Sequence, residues 1–406
     1  PLLDLPLKNS LAMKAGVGSV TFTRATTATY IDRYGVLQYS AIDEPRFEKE
    51  GLLIEGGSTN FFNYSNHNSH SNWTKGGGFI NTTIDSGVNN PDGTSGAVKV
   101  TSSDSVFANY RDIHMSQVIL ASYNIGDVIT IRSHIKKGSN GRFRFRFFDD
   151  GGYVCGVIVE VESFTILARD AEITTCTIEE DILNDGWCVI TATFTASLGV
   201  GTNIRVITQF SNSVLANSDY MYLDNMQVEV LPFATSYIPT TDSAVTRTAD
   251  VCELVARNNI GQKEITTALE FNVVGLNTGN YNRFMTMTAS GYNSADKVLH
   301  SLNGSTGQVF IDDIVSTATV SNRTYTASEQ INLVYTQTET QTSIFLDGVL
   351  DKTLATQFDQ NLHKYVFQFG GGDTTNNRFL FGHIKNFKIF DKALTATEIS
   401  LLQGSN

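Results

Sequence analysis

The chain has 406 residues, of which 41% are hydrophobic and only 17% charged, and its formal net charge at pH 7 is −12. This length exceeds what one hydrophobic core usually supports, so we expect more than one domain. The acidic balance argues against a nucleic-acid partner, because neutralising phosphates requires a basic surface. No apolar run approaches the ~20 residues of a membrane-spanning helix, so membrane insertion is not expected.

The cysteines show neither a Cys-x-x-Cys pair nor regular spacing; they are Cys155, Cys176, Cys188 and Cys252. Zinc ribbons and small disulfide frameworks are therefore disfavoured, and folding in a reducing cytoplasm is the simpler interpretation. The chain begins at Pro1 and not at a methionine, so we expect a fragment or a processed product.

Residues 1–60 contain short strand-like runs that offer too little apolar surface to close a core alone. Two segments, 20–30 and 233–251, echo each other: each has Thr-Arg followed by small and hydroxylated residues, so that Arg24 and Arg247 occupy matching places. A chain that repeats such a segment is expected to bring the two copies together. We therefore predict that residues 1–60 add strands to a later domain and that another module is inserted between the two.

Residues 79–231 have the pattern of strand after strand. The clearest pair is 127–137 and 141–148, joined by a turn of Gly, Ser and Asn, which predicts a hairpin of adjacent strands. Alternation along the second strand places three arginines on one face and three phenylalanines on the other, and these arginines are Arg142, Arg144 and Arg146. The phenylalanines are expected to lie in the core.

Arg132 and His134 of the first strand are predicted to share this basic face. The face is the most distinctive feature of the sequence, because basic residues are concentrated there in an otherwise acidic protein. Arginine forks suit carboxylates and sugar hydroxyls, and tyrosines such as Tyr110 and Tyr153 would stack on sugar rings, so one interpretation is a saccharide site. The other interpretation is a solvated outer face whose arginines pair across strands with carboxylates such as Glu160.

For two further residues of this module, the sequence predicts a structural role. Trp187 opens a strand and is expected to pack into the core and not to serve as a binding platform. Asp224 lies in the middle of the strand-like segment 218–232, where a carboxylate is costly without a partner. A bound calcium ion, an arginine or a backbone donor would each supply one.

Residues 252–406 again alternate apolar and polar side chains. The dipeptide Asp347-Gly348 is typical of a two-residue turn between the strands of a β-hairpin. Thr395 and Glu398 form a capping box, which predicts one short C-terminal helix. The predicted fold class is all-β, with two antiparallel β-sandwich (jelly-roll) domains and that single helix.

The order from Trp73 through PDGTSGAVKV, GWCVITATFTA and YLDNMQVE resembles the jelly-roll carbohydrate-binding modules attached to many glycan-degrading enzymes. The resemblance covers residues 61–240 and implies an inserted carbohydrate-binding jelly roll. In those modules the aspartate of the last strand often takes part in a structural calcium site, which implicates Asp224.

A second resemblance spans over half of the chain. The segments FTRATTATYIDRYGVLQ, EPRFE, GLLIEGGSTN and TSYIPTTDSAVTRTADV resemble a recurring arrangement in tail-fibre and receptor-binding proteins of tailed bacteriophages. This implies a homotrimeric virion protein of the phage tail that is made in the host cytoplasm and acts outside the cell. Its implied partners are bacterial surface polysaccharide and other virion proteins.

The run GHIKNFKIFDKALTATEISL, with IFLDGVL before it, resembles the closing strands of laminin-G-like, concanavalin A-like sandwiches. The resemblance implies such a sandwich for residues 241–406, completed by strands from residues 1–60. Sandwiches of this kind serve as lectins, adhesion modules, hydrolases or lyases, so the fold alone leaves the function open.

Retaining glycoside hydrolases on this fold place two carboxylates on one strand, about 5 to 5.5 Å apart. Neither a Glu-x-Asp-x-Glu sequence nor a Gly-x-Ser-x-Gly elbow occurs, so no catalytic residue is predicted. The sequence therefore favours a glycan-binding, host-recognising part of a phage tail fibre. The alternatives are a polysaccharide depolymerase or esterase whose active site assembles only in three dimensions, and a purely structural virion protein.

Overall fold

The structure is a computed structural model, and it describes residues 1–66, 71–75, 80–102, 114–149, 152–181, 186–196, 201–210, 218–255, 263–276, 281–288, 297–312, 319–355, 366–371 and 378–404. The chain divides into two units: unit 1 comprises Pro1–Arg33, Tyr39–Gly57 and Thr248–Asn406, and unit 2 comprises Tyr34–Gln38 and Ser58–Arg247. From the sequence alone, the corresponding boundaries are expected after residues 60 and 240.

Unit 1 contains two antiparallel sheets, whose strands are numbered along the whole chain. The first sheet has the spatial order β29 (Val349–Leu354), β28 (Thr342–Leu346), β27 (Ile331–Gln337), β22 (Ile265–Val273), β31 (Gly382–Phe390), β6 (Gly51–Ile54) and β5 (Arg46–Glu48), and β1 (Leu3–Leu5) also pairs with β31. The second has the order β2 (Val20–Thr23), β21 (Val251–Val255), β30 (Val366–Phe369), β23 (Tyr281–Thr288), β24 (Lys297–Asn303), β25 (Gln308–Asp312) and β26 (Thr319–Thr324).

Both sheets of unit 1 bury their inner faces in one hydrophobic core. Phe271 of β22 stacks on Phe284 of β23 with ring centroids 4.1 Å apart, and Phe387 of β31 meets Phe369 of β30 edge to face at 4.9 Å. Each fully buried side chain of this size contributes about 1.5–3 kcal/mol, so these contacts hold the sheets together as a sandwich. The remaining short strands of the chain are β3 (Ala28–Ile31), β4 (Leu37–Ser40), β7 (Ser58–Asn60) and β20 (Val245–Arg247).

One helix, α1 (Ala396–Gly404), is found in the described part of the chain. It begins at the predicted capping box: the Glu398 amide donates to Thr395 Oγ1 at 3.3 Å, and the Thr395 amide donates to Glu398 Oε2 at 2.8 Å. Ile399 packs on a small cluster that includes Val334 and Phe345. None of the described residues form a helix long and apolar enough to cross a membrane.

Unit 2 is a second sandwich of two six-stranded antiparallel sheets. The first, called sheet F, has the order β16 (Ile173–Glu180), β17 (Trp187–Thr195), β12 (Val128–Lys137), β19 (Tyr220–Glu229), β10 (Ser95–Ser102) and β9 (Ile80–Asn89). The second, called sheet E, has the order β15 (Thr165–Arg169), β14 (Gly152–Glu160), β13 (Arg142–Asp149), β18 (Gly201–Phe210), β11 (His114–Tyr123) and β8 (Thr74–Lys75).

The alternation predicted for β13 is confirmed, because its phenylalanines are buried in the core between the two sheets. Phe147 of sheet E stacks on Phe194 of sheet F with centroids 4.5 Å apart. Trp187 is also buried, and its Nε1 donates to the backbone oxygen of Asn89 at 3.0 Å, so its predicted packing role is confirmed. The predicted fold class, all-β with antiparallel sandwiches and one short helix, is correct.

The predicted hairpin of β12 and β13 is wrong. β12 pairs with β17 and β19 in sheet F, whereas β13 pairs with β14 and β18 in sheet E, so the connection crosses from one sheet to the other. Gly138 makes this crossing feasible, since a Cβ at that position would lie 2.4 Å from the Tyr220 ring. The crossing turns both apolar faces inward, which places the basic residues of the two strands on opposite outer faces of the sandwich.

The two segments that share a Thr-Arg motif meet in unit 1, as predicted. β2 and β21 pair antiparallel, and the Thr248 amide donates to Thr26 Oγ1 at 3.1 Å. The arginines of the motif diverge: Arg24 is buried in unit 1, whereas Arg247 belongs to unit 2, where it donates to Ser236 Oγ at 2.6 Å.

Two arginines and two carboxylates form a buried ion network in unit 1. Asp250 accepts hydrogen bonds from Arg24 Nη1 at 3.1 Å and from Arg46 Nη2 at 2.5 Å. Arg46 Nη1 donates to Glu55 Oε2 at 2.8 Å. Burial lowers the pKa of Arg46, but Asp250 and Glu55 outweigh burial and hold this pKa above its usual value. The network therefore joins residues before position 58 to a residue after position 247.

We expect Asp250→Ala to lower the free energy of unfolding of unit 1 by about 3–5 kcal/mol, because two buried guanidinium groups lose their shared carboxylate. Denaturant unfolding measures this loss. Asp391→Ala is the matched control, since Asp391 is exposed and such surface changes cost about 0.5 kcal/mol or less. Equal, small effects of the two substitutions would contradict the structural role of the network.

Candidate functional site

The outer face of sheet E carries the most distinctive polar surface of unit 2. Because the phenylalanines of β13 point inward, Arg142, Arg144 and Arg146 point outward. Gly156 of β14 lies directly opposite Arg146. Tyr153 lies on the same strand, opposite Phe148. We call these five residues the Arg–Tyr face.

Arg142 is already paired. It lies opposite Glu160 in the β13–β14 register, and its Nε donates to Glu160 Oε2 at 3.0 Å. Lys137 forms a similar exposed ion pair with Glu162. For Arg142 the structure therefore agrees with the interpretation of a cross-strand pair on a solvated face, a contact of about 0–1 kcal/mol.

Arg146 has a different environment. Its guanidinium carbon lies 4.9 Å from the centroid of the Phe148 ring and 5.1 Å from that of the Tyr153 ring. These distances are within the cation–π range, so the guanidinium packs against two aromatic rings. Arg146 therefore positions Tyr153 and adds positive charge to the face.

Arg144 lies between these two arginines and keeps unused donors. Its only hydrogen bond to a described residue is from Nη2 to the Tyr153 hydroxyl at 3.4 Å, which is long. Its Nε is buried and donates to no described residue. The enclosed Nε does not reach solvent, so the donors that Arg144 can offer to an acceptor from outside the chain are those of its Nη groups.

Tyr153 and Asp170 complete the surroundings of Arg144. The Tyr153 hydroxyl donates to Asp170 Oδ2, and the Gly156 amide donates to the same oxygen at 2.9 Å. Burial and then the bond to Asp170 raise the pKa of Tyr153, so its proton stays on the phenol. Tyr153 is nevertheless 37% exposed, so one part of the side chain remains available to solvent.

Gly156 is buried beneath this surface, and the packing there has no room for a side chain. A Cβ at this position would lie 2.7 Å from the Phe145 backbone oxygen, 3.0 Å from the Tyr153 hydroxyl and 3.5 Å from Arg144 Nε. The glycine therefore lets the Tyr153 hydroxyl and Arg144 approach the backbone of β14 closely. The arrangement can donate hydrogen bonds from a fixed cation to a carboxylate or to sugar hydroxyls next to a phenol ring.

Arg132 and His134 are not part of this face, and their predicted grouping with the β13 arginines is wrong. Both lie on β12 in sheet F, because the chain crosses between the sheets after β12. Arg132 Nη1 donates to the Thr235 backbone oxygen at 3.5 Å. His134 is 5% exposed, and its Nε2 lies 3.5 Å from Asp181 Oδ2. Burial lowers the pKa of His134, which favours the neutral ring.

Tyr110, the other predicted binding tyrosine, lies outside the described residues. Saccharide binding by any of the predicted residues stays a prediction. The structure reduces the predicted basic surface to the arginines of β13 with Tyr153.

Asp224 is a buried carboxyl on β19, opposite His134 in the register of the two strands. It is 3% exposed, and its Oδ1 accepts no hydrogen bond from a described residue. Burial raises the pKa of Asp224 to about 8, with the Asn225 amide acting in the opposite direction. Neither an arginine nor another side chain neutralises it within the described structure.

Calcium at Asp224 stays a prediction. Among the described residues, Asp224 is not part of a group of three His, Cys, Asp or Glu side chains that could hold a metal ion. A calcium ion here would need backbone or water oxygens in addition to the carboxylate.

Sequence reasoning missed Gly156 and Asp170 as parts of the Arg–Tyr face. A glycine inside a strand signals a close approach of other groups to the backbone, and Gly156 interrupts the run YVCGVIVE in this way. Asp170 follows β15 and reaches Tyr153 only through the β14–β15 pairing, for which the sequence has no local signal.

Comparison with known families gives one match within unit 1. The family described as the concanavalin A-like lectin/glucanases superfamily matches residues 247–400. This agrees with the resemblance inferred from the closing strands and indicates a lectin-like jelly-roll sandwich for this segment. A search of curated proteins found no match.

Several solved structures are similar to parts of the chain. Domain 4 of the extracellular arabinanase AbnA from Geobacillus stearothermophilus, in complex with arabinotriose, is 13% identical, with 42% of this chain and 81% of that chain covered and a TM-score of 0.30. A sialidase CBM40 from Ruminococcus gnavus bound to α2,3-sialyllactose is 12% identical, with 36% and 84% covered and a TM-score of 0.30. A pentraxin from Limulus polyphemus is 11% identical, with 36% and 71% covered and a TM-score of 0.28.

The buried carboxyl of Asp224 predicts a pH dependence of stability. Its folded pKa of about 8 lies above the value of about 4 expected in the unfolded chain. The folded state therefore binds the proton more tightly, and the contribution of Asp224 to stability is full below pH ~4, falls as the pH rises to ~8, and changes no further above it. We expect Asp224→Asn to flatten this profile, so that between pH 5 and pH 9 wild type loses at least about 2 kcal/mol more than the variant.

Denaturant unfolding at the two pH values, with and without calcium, measures the effect. Parallel profiles for wild type and Asp224→Asn would contradict the assignment of the buried neutral carboxyl. Calcium that stabilises wild type at pH 7 but not the variant would instead support the predicted calcium site.

Proposed function

We propose that the protein binds carbohydrate and forms the host-recognition part of a bacteriophage tail fibre, attaching to bacterial surface polysaccharide. The observation that carries the binding proposal is Arg144, whose guanidinium makes a single, long hydrogen bond to the described residues and lies beside the partly exposed Tyr153. The match of residues 247–400 to a superfamily of lectins and glucanases supports it. The tail-fibre assignment rests on the resemblance of the N-terminal and connecting segments to phage receptor-binding proteins.

The chemistry of the face favours a sugar that carries a carboxylate. A carboxylate accepts from a guanidinium through charge-assisted hydrogen bonds, which contribute roughly 1.5–3 kcal/mol each. Arg146, which packs on Tyr153, adds a second positive charge close by. The ring of Tyr153 offers apolar surface to the C–H groups of the same sugar.

Adsorption by this mechanism is reversible and multivalent. A single site of this size binds weakly, but copies carried on one particle engage a surface polysaccharide together, and the combined affinity rises by orders of magnitude. A homotrimer in the phage tail, made in the host cytoplasm and acting outside the cell, fits this mechanism, with other virion proteins as its remaining partners. A calcium ion at Asp224 would stabilise unit 2 without taking part in binding.

We expect Arg144→Ala to weaken binding to a carboxylate-bearing host polysaccharide by about 10–100-fold, the equivalent of one or two charge-assisted hydrogen bonds. Arg142→Ala is the matched control, because the same residue type on the same strand is tied to Glu160 and should change binding about 2-fold or less. Calorimetric titration of both variants measures the difference, and their melting temperatures check that the fold is intact. Equal losses for the two variants would contradict a specific site at Arg144.

The same samples distinguish the alternatives. Shortened chains or released acetyl groups after incubation with the polysaccharide would identify a depolymerase or esterase and contradict a purely binding role. No binding to any glycan, together with tight binding to another virion protein, would indicate a structural component.

A further inference from the structure

A cluster of three ligand-bearing side chains lies in unit 1, apart from the residues assigned to sugar binding. Glu48 ends β5, Glu50 lies in the turn that follows, and His383 lies near the start of β31. One potential ligand atom from each side chain lies within 4.8 Å of the other two, and among the described residues no other group of this kind is found.

The sheet register explains how residues so distant in sequence meet. β6 lies between β5 and β31, and its Leu53 is opposite both Arg46 and His383. Directly opposed residues point to the same side of a sheet, as do residues two apart on one strand, so Glu48 and His383 share the outer face. The tight turn between β5 and β6 then brings Glu50 to the same edge.

Hydrogen bonds to Asn272 fix the protonation of the His383 ring. The His383 backbone amide donates to Asn272 Oδ1 at 3.0 Å, which identifies that atom as an oxygen and an acceptor. His383 Nδ1 lies 2.9 Å from the same oxygen, so Nδ1 must carry the proton. In a neutral ring the other nitrogen, Nε2, then carries only a lone pair.

This lone pair faces another acceptor. Glu48 Oε2 lies 2.8 Å from His383 Nε2, and a carboxylate oxygen also has only lone pairs to offer. Two acceptors at this distance require a positive charge between or beside them, which is either a proton or a metal ion. A protonated ring would satisfy Glu48 alone.

Charge favours the metal ion. Two carboxylates with one imidazolium leave a net charge of about −1, whereas two carboxylates with a divalent cation and a neutral imidazole are balanced. Glu50 makes no hydrogen bond or ion pair to a described residue, so a cation would give it a partner. The surroundings are also acidic, since burial and then the charges of Glu44, Asp32 and Glu48 raise the pKa of Tyr30.

The donor set favours one class of metal ion. A mixed set of one imidazole nitrogen and two carboxylate oxygens is typical of first-row divalent ions, whereas calcium prefers oxygen alone.

The two close ligands are held in place before any ion binds. The Ile31 amide donates to Glu48 Oε1 at 2.7 Å and leaves Oε2 directed at His383. Asn272 orients the imidazole through Nδ1, the arrangement usual for histidines that bind metals through Nε2. Such preorganisation lowers the cost of binding.

We propose that Glu48, Glu50 and His383 bind a divalent transition-metal ion of the Mn²⁺ class in unit 1. The three protein ligands leave positions for water. The ion ties the β5–β6 turn to β31 and thereby stabilises this edge of the sandwich.

The test uses the full chain after treatment with EDTA, titrated with MnCl₂ and followed by electron paramagnetic resonance and calorimetry. We expect saturable binding of about one Mn²⁺ per chain and a higher melting temperature of unit 1. Glu50→Gln should weaken Mn²⁺ binding at least about 10-fold, since it removes one anionic ligand but leaves the Glu48–His383 contact intact. Glu44→Gln is the control, because it removes a nearby negative charge that is not a ligand, and it should bind as wild type does.

Three results would overturn the proposal: no saturable Mn²⁺ binding, equal binding by wild type and Glu50→Gln, or tighter binding of Ca²⁺ than of Mn²⁺. The first two would leave His383 as a simple imidazolium paired with Glu48. None of these results bears on glycan binding by the Arg–Tyr face, which belongs to unit 2.

Discussion

Asp250 is the residue on which the integrity of unit 1 depends. The chain leaves this unit after Gly57 and returns at Thr248, and Asp250 then accepts hydrogen bonds from Arg24, Arg46 and the Glu55 amide. Closing a loop of this length costs conformational entropy, although the cost grows only slowly with length. A buried charge is tolerated only when it is fully paired, so the network also selects one arrangement of the returning strand. β21 can then pair with β2, and β6 is held between β5 and β31, with which it pairs.

The same constraint positions the proposed metal ligands. Glu48 follows Arg46 by two residues on β5, so fixing Arg46 against Asp250 and Glu55 also fixes the strand that presents Glu48 to His383. In unit 2, the strand β13 carries three arginines that differ in their contacts. Arg142 is paired with Glu160, Arg146 packs on aromatic rings, and Arg144 keeps donors for a ligand. Three similar residues at alternate positions thus have three different environments, set by the different side chains that surround each of them.

Much of the local structure could be predicted from the sequence, because it depends on neighbouring residues. Alternation along β13 predicted which side chains are buried, and Asp347 and Gly348 adopt the positive φ angles of 50° and 82° that their hairpin turn requires. The capping box at Thr395 is also local. The partners of β12 and β13 could not be predicted in this way. A turn of small residues fits a hairpin, but cross-strand pairs contribute only about 0.2–1 kcal/mol each, less than burying large side chains between two sheets.

The meeting of segments 20–30 and 233–251 was predictable because they repeat a motif, but contacts between individual side chains far apart in the chain were not. His383 and Glu48 are 335 residues apart, and Asp250 and Arg46 are 204 apart. Nothing in the local pattern of either residue indicates its partner. The local sequence also conceals the Arg–Tyr face, since the carboxylate that anchors Tyr153, Asp170, lies on a separate segment.

A crystal structure of the protein with an acidic oligosaccharide from the host surface polysaccharide tests the central claim most directly. The account predicts an intact sugar whose carboxylate lies within hydrogen-bonding distance of Arg144, with its ring against Tyr153 and above Gly156. Sugar bound elsewhere while the Arg–Tyr face stays empty, or an oligosaccharide cleaved in the crystal, would contradict it.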